Sequence, residues 1–169
     1  TRDGYELAIN TLQILKNMNY KKTYINWVMH SNNASDFKEM IKLAEKYNVC
    51  GLVVMVFKPD AKNQRKSVPS VVQIYEIAKC IKEYKGIVNI EVEECFSQLK
   101  AVLGKRFFTN LNQGISKGCG AGRDGISVSV DGKLTPCRHL EIKEDFDTIR
   151  QYWENSNVLK QIRQIENNK

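Results

Sequence analysis

Apolar residues set the rhythm of the first half of the chain. Leu7, Ile9, Leu12, Ile14 and Leu15 follow Asp3 at helical spacing and predict a helix that ends near residues 17–19. YINWVM over 24–29 predicts a short strand. Phe37, Met40, Ile41 and Ala44 fall on one face of a second helix, with Ser35 as its expected cap and Asn48 near its end. GLVVMVF over 51–57 is nearly continuous in apolar residues, the pattern of a strand buried on both faces of a parallel sheet. Val71, Ile74, Ile77, Ala78 and Ile81 predict a third helix, capped by Ser70 and stopped by Gly86, and IVNIEV over 87–92 predicts a third strand. Strands alternating with helices are the signature of right-handed parallel crossovers. Residues 1–92 therefore read as part of an α/β sheet or barrel. Three parallel strands do not close a barrel of about eight strands, so the rest of that domain is expected upstream.

After residue 92 the pattern changes. Phe96, Leu99, Val102 and Leu103 predict a short helix ended by Gly104, and residues 105–118 are polar and irregular. Ile126, Val128 and Val130 then alternate with Ser127 and Ser129, as in a half-buried strand. Asp131-Gly132 predicts a two-residue hairpin turn, with a return strand over 133–137. Two amphipathic helices are expected over 146–153 and 158–165. Residues 93–169 are thus expected to form a second, small α+β unit.

Composition narrows the class. With 42% hydrophobic residues in 169, the chain can bury a core. It has no apolar run near the roughly 20 residues of a membrane-spanning helix and no signal-peptide pattern, so no membrane partner is expected and a cytoplasmic location is. Five cysteines at irregular spacing argue for reduced thiols rather than a disulfide framework. The net charge of +7 is spread along the chain. Its densest cluster, Lys58, Lys62, Arg65 and Lys66, reads as a solvated loop or as a contact for an acidic partner or nucleic acid. Aromatics do not interleave with the basic residues, so nucleic-acid binding is not expected.

The cysteines separate by context. Cys80 shares a helical face with Ile77, Ile81 and Tyr84, and Cys50 precedes the second strand; both read as small apolar core residues. Cys119 lies among Gly118, Gly120, Ala121 and Gly122, where backbone N–H groups can approach a bulky anion such as a thiolate cluster. Cys137 follows Pro136 at the far end of the hairpin. Zinc and iron–sulfur clusters usually take four protein ligands, so these two sulfurs are half a site or two unrelated thiols. Cys95 is open to three readings, as a third ligand, a packing residue or an active-site thiol. His139 is a competent ligand or a hydrogen-bonding neighbour, and Arg138 either balances cluster charge or faces water.

Cys119, twelve residues, Gly132, four residues and Cys137 resembles the opening motif of the SPASM and twitch extensions of radical S-adenosylmethionine enzymes. CGAGRDGISVSVDGKLTPC is similar throughout to that family's small-residue segment, strand, turn and Pro-Cys. The resemblance implies that residues 1–92 are the C-terminal part of a partial (β/α)6 TIM-like barrel, with YINWVMHSN as strand five and GLVVMVFKP as strand six. It implies that residues 93–169 are the auxiliary-cluster region, with a hairpin and C-terminal helices.

The family also implies specific roles. Cys119 and Cys137, with Cys95 as a third candidate, would help hold an auxiliary 4Fe–4S cluster. Asn26, His30, Phe57 and Lys58 would fall on the side of the barrel that binds S-adenosylmethionine. The N-terminal part of the same protein would carry a second 4Fe–4S cluster and S-adenosylmethionine, and the substrate would be a peptide or protein. The three-cysteine motif that starts the radical chemistry is absent from these 169 residues, so the chain alone is expected to be inactive. No cysteine follows Cys137, which points to a one-cluster twitch extension or to a SPASM extension cut short. A zinc-binding interaction module, a metal-free α/β binding protein and a catalytically inactive relative are the competing readings.

Overall fold

The computed structural model describes residues 2–59, 62–104 and 119–167; the segment 105–118, expected to be irregular, and the side chain of Lys62 lie outside them. The chain forms two compact units, Thr1–Ser116 and Lys117–Lys169.

In the first unit the apolar stripes fold as their spacing predicts. Helix α1 (Arg2–Asn17) leads to β1 (Tyr24–Met29), α2 (Phe37–Lys46), β2 (Gly51–Val56), α3 (Val71–Glu83), β3 (Asn89–Val92) and α4 (Ser97–Leu103). The strands form a parallel sheet in the order β1-β2-β3, with Tyr24 opposite Gly51 and Gly51 opposite Asn89. Asn19 and Asn48, at φ 54° and 52°, stop α1 and α2 in the left-handed conformation that asparagine tolerates. Gly104 ends α4 at φ 81° and ψ 159°, a backbone conformation essentially confined to glycine.

One core holds the unit together. Phe37, Ile41 and Ala44 of α2, Ile74, Ile77 and Ile81 of α3 and Leu99 and Leu103 of α4 pack with Trp27, Met29, Leu52, Val54, Ile90 and Val92 of the sheet. The helices therefore cover a single sheet face. The apolar run of β2 predicts burial on both faces, but Leu52 and Val54 are buried and Val53 and Met55 only half-buried. The change of character after Val92 is not where the units divide, because Phe96, Leu99 and Leu103 belong to this first core.

Two helix starts show why local chemistry matters. Ser70 caps α3 as expected: its Oγ accepts from Gln73 N at 3.3 Å, and Gln73 Oε1 accepts from Ser70 N at 2.9 Å. Ser35 does not cap α2. A 3-10 turn, Ala34–Asp36, precedes that helix, and Ser35 Oγ donates instead to Asp36 Oδ1 at 3.2 Å. Gly86 lies beyond the end of α3, where a Cβ would meet Tyr84 Oη at 2.3 Å. Its role is to make room for Tyr84, which donates to Glu45 Oε1 and accepts from Val88 N.

The second unit is a short antiparallel pair with two helices. β4 (Ser127–Val128) pairs with β5 (Leu134–Thr135), and α5 (Ile149–Asn155) and α6 (Asn157–Asn167) follow. Leu134, Tyr152 and Leu159 form its core, with Ile126 and Phe146 packed against them. Ser156 Oγ caps α6 by accepting from Leu159 N and donates to Glu144 Oε2 at 2.5 Å. Arg163 ties the parts of this unit together: its guanidinium lies 4.2 Å from the centre of the Trp153 ring and donates to the carbonyls of Gly122 and Trp153. Among the described residues, no helix is long and apolar enough to cross a membrane.

Candidate functional site

In an open parallel sheet, ligands bind beyond the carboxyl ends of the strands, and in the first unit these ends carry a bonded set of polar side chains. Asn33 shapes the loop after β1: its Oδ1 accepts from His30 N at 2.8 Å and its Nδ2 donates to Val28 O at 2.9 Å. Asn32 N donates to His30 Nδ1 at 3.2 Å. In this bond Nδ1 is the acceptor, which leaves Nε2 as the ring nitrogen turned to other partners. The His30 ring meets Phe57 edge-on, with centres 6.4 Å apart. Ser31 anchors the loop to the turn before α3, because its N donates to Ser67 O and its O accepts from Gln73 Nε2.

Lys58, just past β2, pairs with Glu93, just past β3, at 2.5 Å, with side chains only 23% and 18% exposed. Glu93 Oε2 also accepts from Val56 N at 3.3 Å, so one carboxylate fastens two strand ends and holds the lysine. Sequence reasoning does not single out Glu93. The legible signal is IEVE at 90–93, an acidic residue after one strand matching a basic residue after the strand before it. His30, Phe57 and Lys58 thus share this rim. Asn26 does not: it lies in mid-strand opposite Val53, about 13 Å from His30 along the strand.

The hairpin of the second unit differs from the expected two-residue turn. Ser129 N donates to Lys133 O and Gly132 N donates to Ser129 O, both at 2.9 Å, with Gly132 at φ 79°. This is the three-residue loop in which a left-handed glycine closes a bulge. Strand twist is met by Gly132 alone, rather than by Asp131 and Gly132 together.

Part of the small-residue segment closes on itself. Arg123, Asp124 and Gly125 all direct their N–H groups to Gly120 O, and Gly122 N donates to Gly125 O. These donors are spent within the loop and do not cradle an anion. Gly122, at φ 70°, faces α6: a Cβ there would meet Leu159 Cδ2 at 2.9 Å and Ile162 Cδ1 at 3.3 Å.

Cys119 is exposed and Cys137 half-buried, at the two ends of this segment, and Cys95 is half-buried in the first unit. Lys100 lies near Cys95; burial lowers its pKa, and Glu94, Cys95 and Glu93 oppose that shift. Cys80 packs against the main core as expected, whereas Cys50 is exposed, with its Sγ 3.4 Å from Tyr24 Oη. His139 Nε2 accepts from Arg138 Nε at 3.1 Å. Among the described residues no three His, Cys, Asp or Glu side chains form a group that could hold a metal ion. No family model, curated protein or solved structure matches the chain. The donors Cys119 and Cys137 suit an iron–sulfur cluster in kind but supply only two of the usual four. Residues 105–118 contain no cysteine, histidine or carboxylate that could add to them.

Proposed function

We propose that the chain is the C-terminal portion of a radical S-adenosylmethionine enzyme that modifies a peptide or protein. The observation that carries this reading is the sequence Cys119…Gly132…Cys137, whose glycine is left-handed in the turn that joins β4 to β5. The first unit supports it. Sequential parallel strands with helices on one face only are what a segment of a (β/α) barrel contains, the uncovered face being the barrel interior.

In this reading Cys119 and Cys137 contribute two thiolates to an auxiliary cluster, and its further ligands come from the rest of the protein. The cluster, when bound, supplies an electron acceptor or an anchor for substrate. The chain's own residues do the positioning. Asn33 and Gln73 fix the loop bearing His30, and Glu93 fixes Lys58, so the rim is preorganised for S-adenosylmethionine bound by the rest of the barrel. The coding sequence upstream of Thr1 tests the reading. Three closely spaced cysteines there support it, and their absence leaves a catalytically inactive relative at best.

A zinc module is the weaker alternative. His139, the one histidine near the cysteines, already uses Nε2 for Arg138.

A further inference from the structure

We infer that the uncovered face of the parallel sheet binds a cationic side chain of a peptide, lysine or arginine, at Glu91. Alternation along the strands puts Tyr24, Asn26 and Val28 of β1, Val53 and Met55 of β2 and Asn89 and Glu91 of β3 on the face that no helix packs against. Parallel sheets are normally covered on both sides. Here Tyr24 is 47% and Val28 42% exposed.

The chemistry of the face selects the occupant. Gly51 lies between Tyr24 and Asn89 in register, and the Tyr24 ring lies over it: a Cβ at Gly51 would meet Tyr24 Cε1 at 2.6 Å. One row along, Asn26, Val53 and Glu91 are neighbours. Asn89 Nδ2 donates to Glu91 Oε1 at 2.8 Å and so orients the carboxylate. Glu91 is half-buried, and no lysine or arginine among the described residues forms an ion pair with it, in a chain with 26 basic and 19 acidic residues. Its neighbour Glu93, by contrast, has Lys58. A half-buried carboxylate without a counter-ion, held between amide and apolar side chains, complements a cation on an apolar stem. This names a substrate class for the function proposed above, and only the identification of the peptide as substrate rests on that reading.

The test is an NMR titration of the 169-residue chain with acetyl-Gly-Arg-Gly-amide and acetyl-Gly-Lys-Gly-amide. The citrulline analogue, isosteric with arginine but neutral, is the control. At least one cationic peptide is expected to shift the Asn26, Val53 and Glu91 amides saturably, the citrulline peptide is not, and Glu91→Gln is expected to weaken binding about tenfold, the loss of one charge-assisted hydrogen bond. Equal shifts from cationic and neutral peptides, or binding unchanged in Glu91→Gln, overturn the inference. So do shifts of the same amides with protein concentration alone, which assign the face to a second copy. The arginine–citrulline comparison on the unaltered chain stands even if the variant misfolds. Neither cluster nor S-adenosylmethionine is needed, so failure here is distinct from failure of the proposed function.

Discussion

Gly122 separates two explanations of the glycine-rich loop, and a three-member alanine series measures which holds. Gly125→Ala introduces a Cβ with nothing within 4 Å and no left-handed φ, and is expected to change stability by less than about 0.5 kcal/mol. Gly132→Ala also meets nothing but forces alanine to φ 79°, which costs about 1–2 kcal/mol. Gly122→Ala carries the same backbone strain at φ 70° and adds a methyl 2.9 Å from Leu159 Cδ2. Overpacking of that kind adds about 1–3 kcal/mol, for a total of about 2–5 kcal/mol. Urea unfolding followed on the Leu159 NMR signals reads the second unit alone. The order Gly125, Gly132, Gly122 is expected in the metal-free chain. If Gly122→Ala destabilises no more than Gly132→Ala, the contact with α6 is not what holds a glycine there.

The rim, the tyrosines and the thiols give further expected outcomes. Lys58→Met leaves the Glu93 carboxylate half-buried without its cation and should cost about 1–3 kcal/mol in chemical denaturation, while the double variant Lys58→Met with Glu93→Leu recovers most of that loss. The Tyr24 phenol is held above its ordinary pKa by the hydrogen bond with Cys50 and the nearby charges of Cys50 and Glu91, and Tyr152 is raised by burial and then by Glu144. Both keep their protons to higher pH folded than unfolded, so their contribution is intact below about pH 10 and is lost as pH rises through the folded values. Tyrosine titration should show Cys50→Ala moving Tyr24 down, and an unmoved Tyr24 contradicts the pairing. Exposed Cys50 and Cys119 should react with a thiol reagent faster than half-buried Cys80, Cys95 and Cys137, and equal rates contradict the assigned burial.

Most of the first unit was legible because its signals are local and repeated. The stripes on α2 and α3 and the runs at β1 and β2 carry period and length together, and the asparagine stops and the Ser70 box are short-range chemistry. What was misread depends on tertiary neighbours. The composition of β2 does not say that all helices pack on one of its faces, and the position of Cys50 before a strand does not reveal that Tyr24 reaches over to it at the surface. In the glycine-rich loop, composition cannot show that Gly120 O takes three of the N–H groups. At the rim, the positions of His30, Phe57 and Lys58 after strands were legible from the apolar runs that precede them. Glu93 was missed because its importance lies in Lys58, 35 residues away.

The central claim is that Cys119 and Cys137 serve an iron–sulfur cluster, and iron and sulfide analysis after anaerobic reconstitution tests it most directly. The full-length protein is predicted to take up iron and acid-labile sulfide together, with a sulfur-to-iron charge-transfer absorption, and Cys119→Ala or Cys137→Ala is predicted to lower both by one cluster's worth. Iron uptake unchanged in the double variant, or stoichiometric zinc with no iron, contradicts the claim.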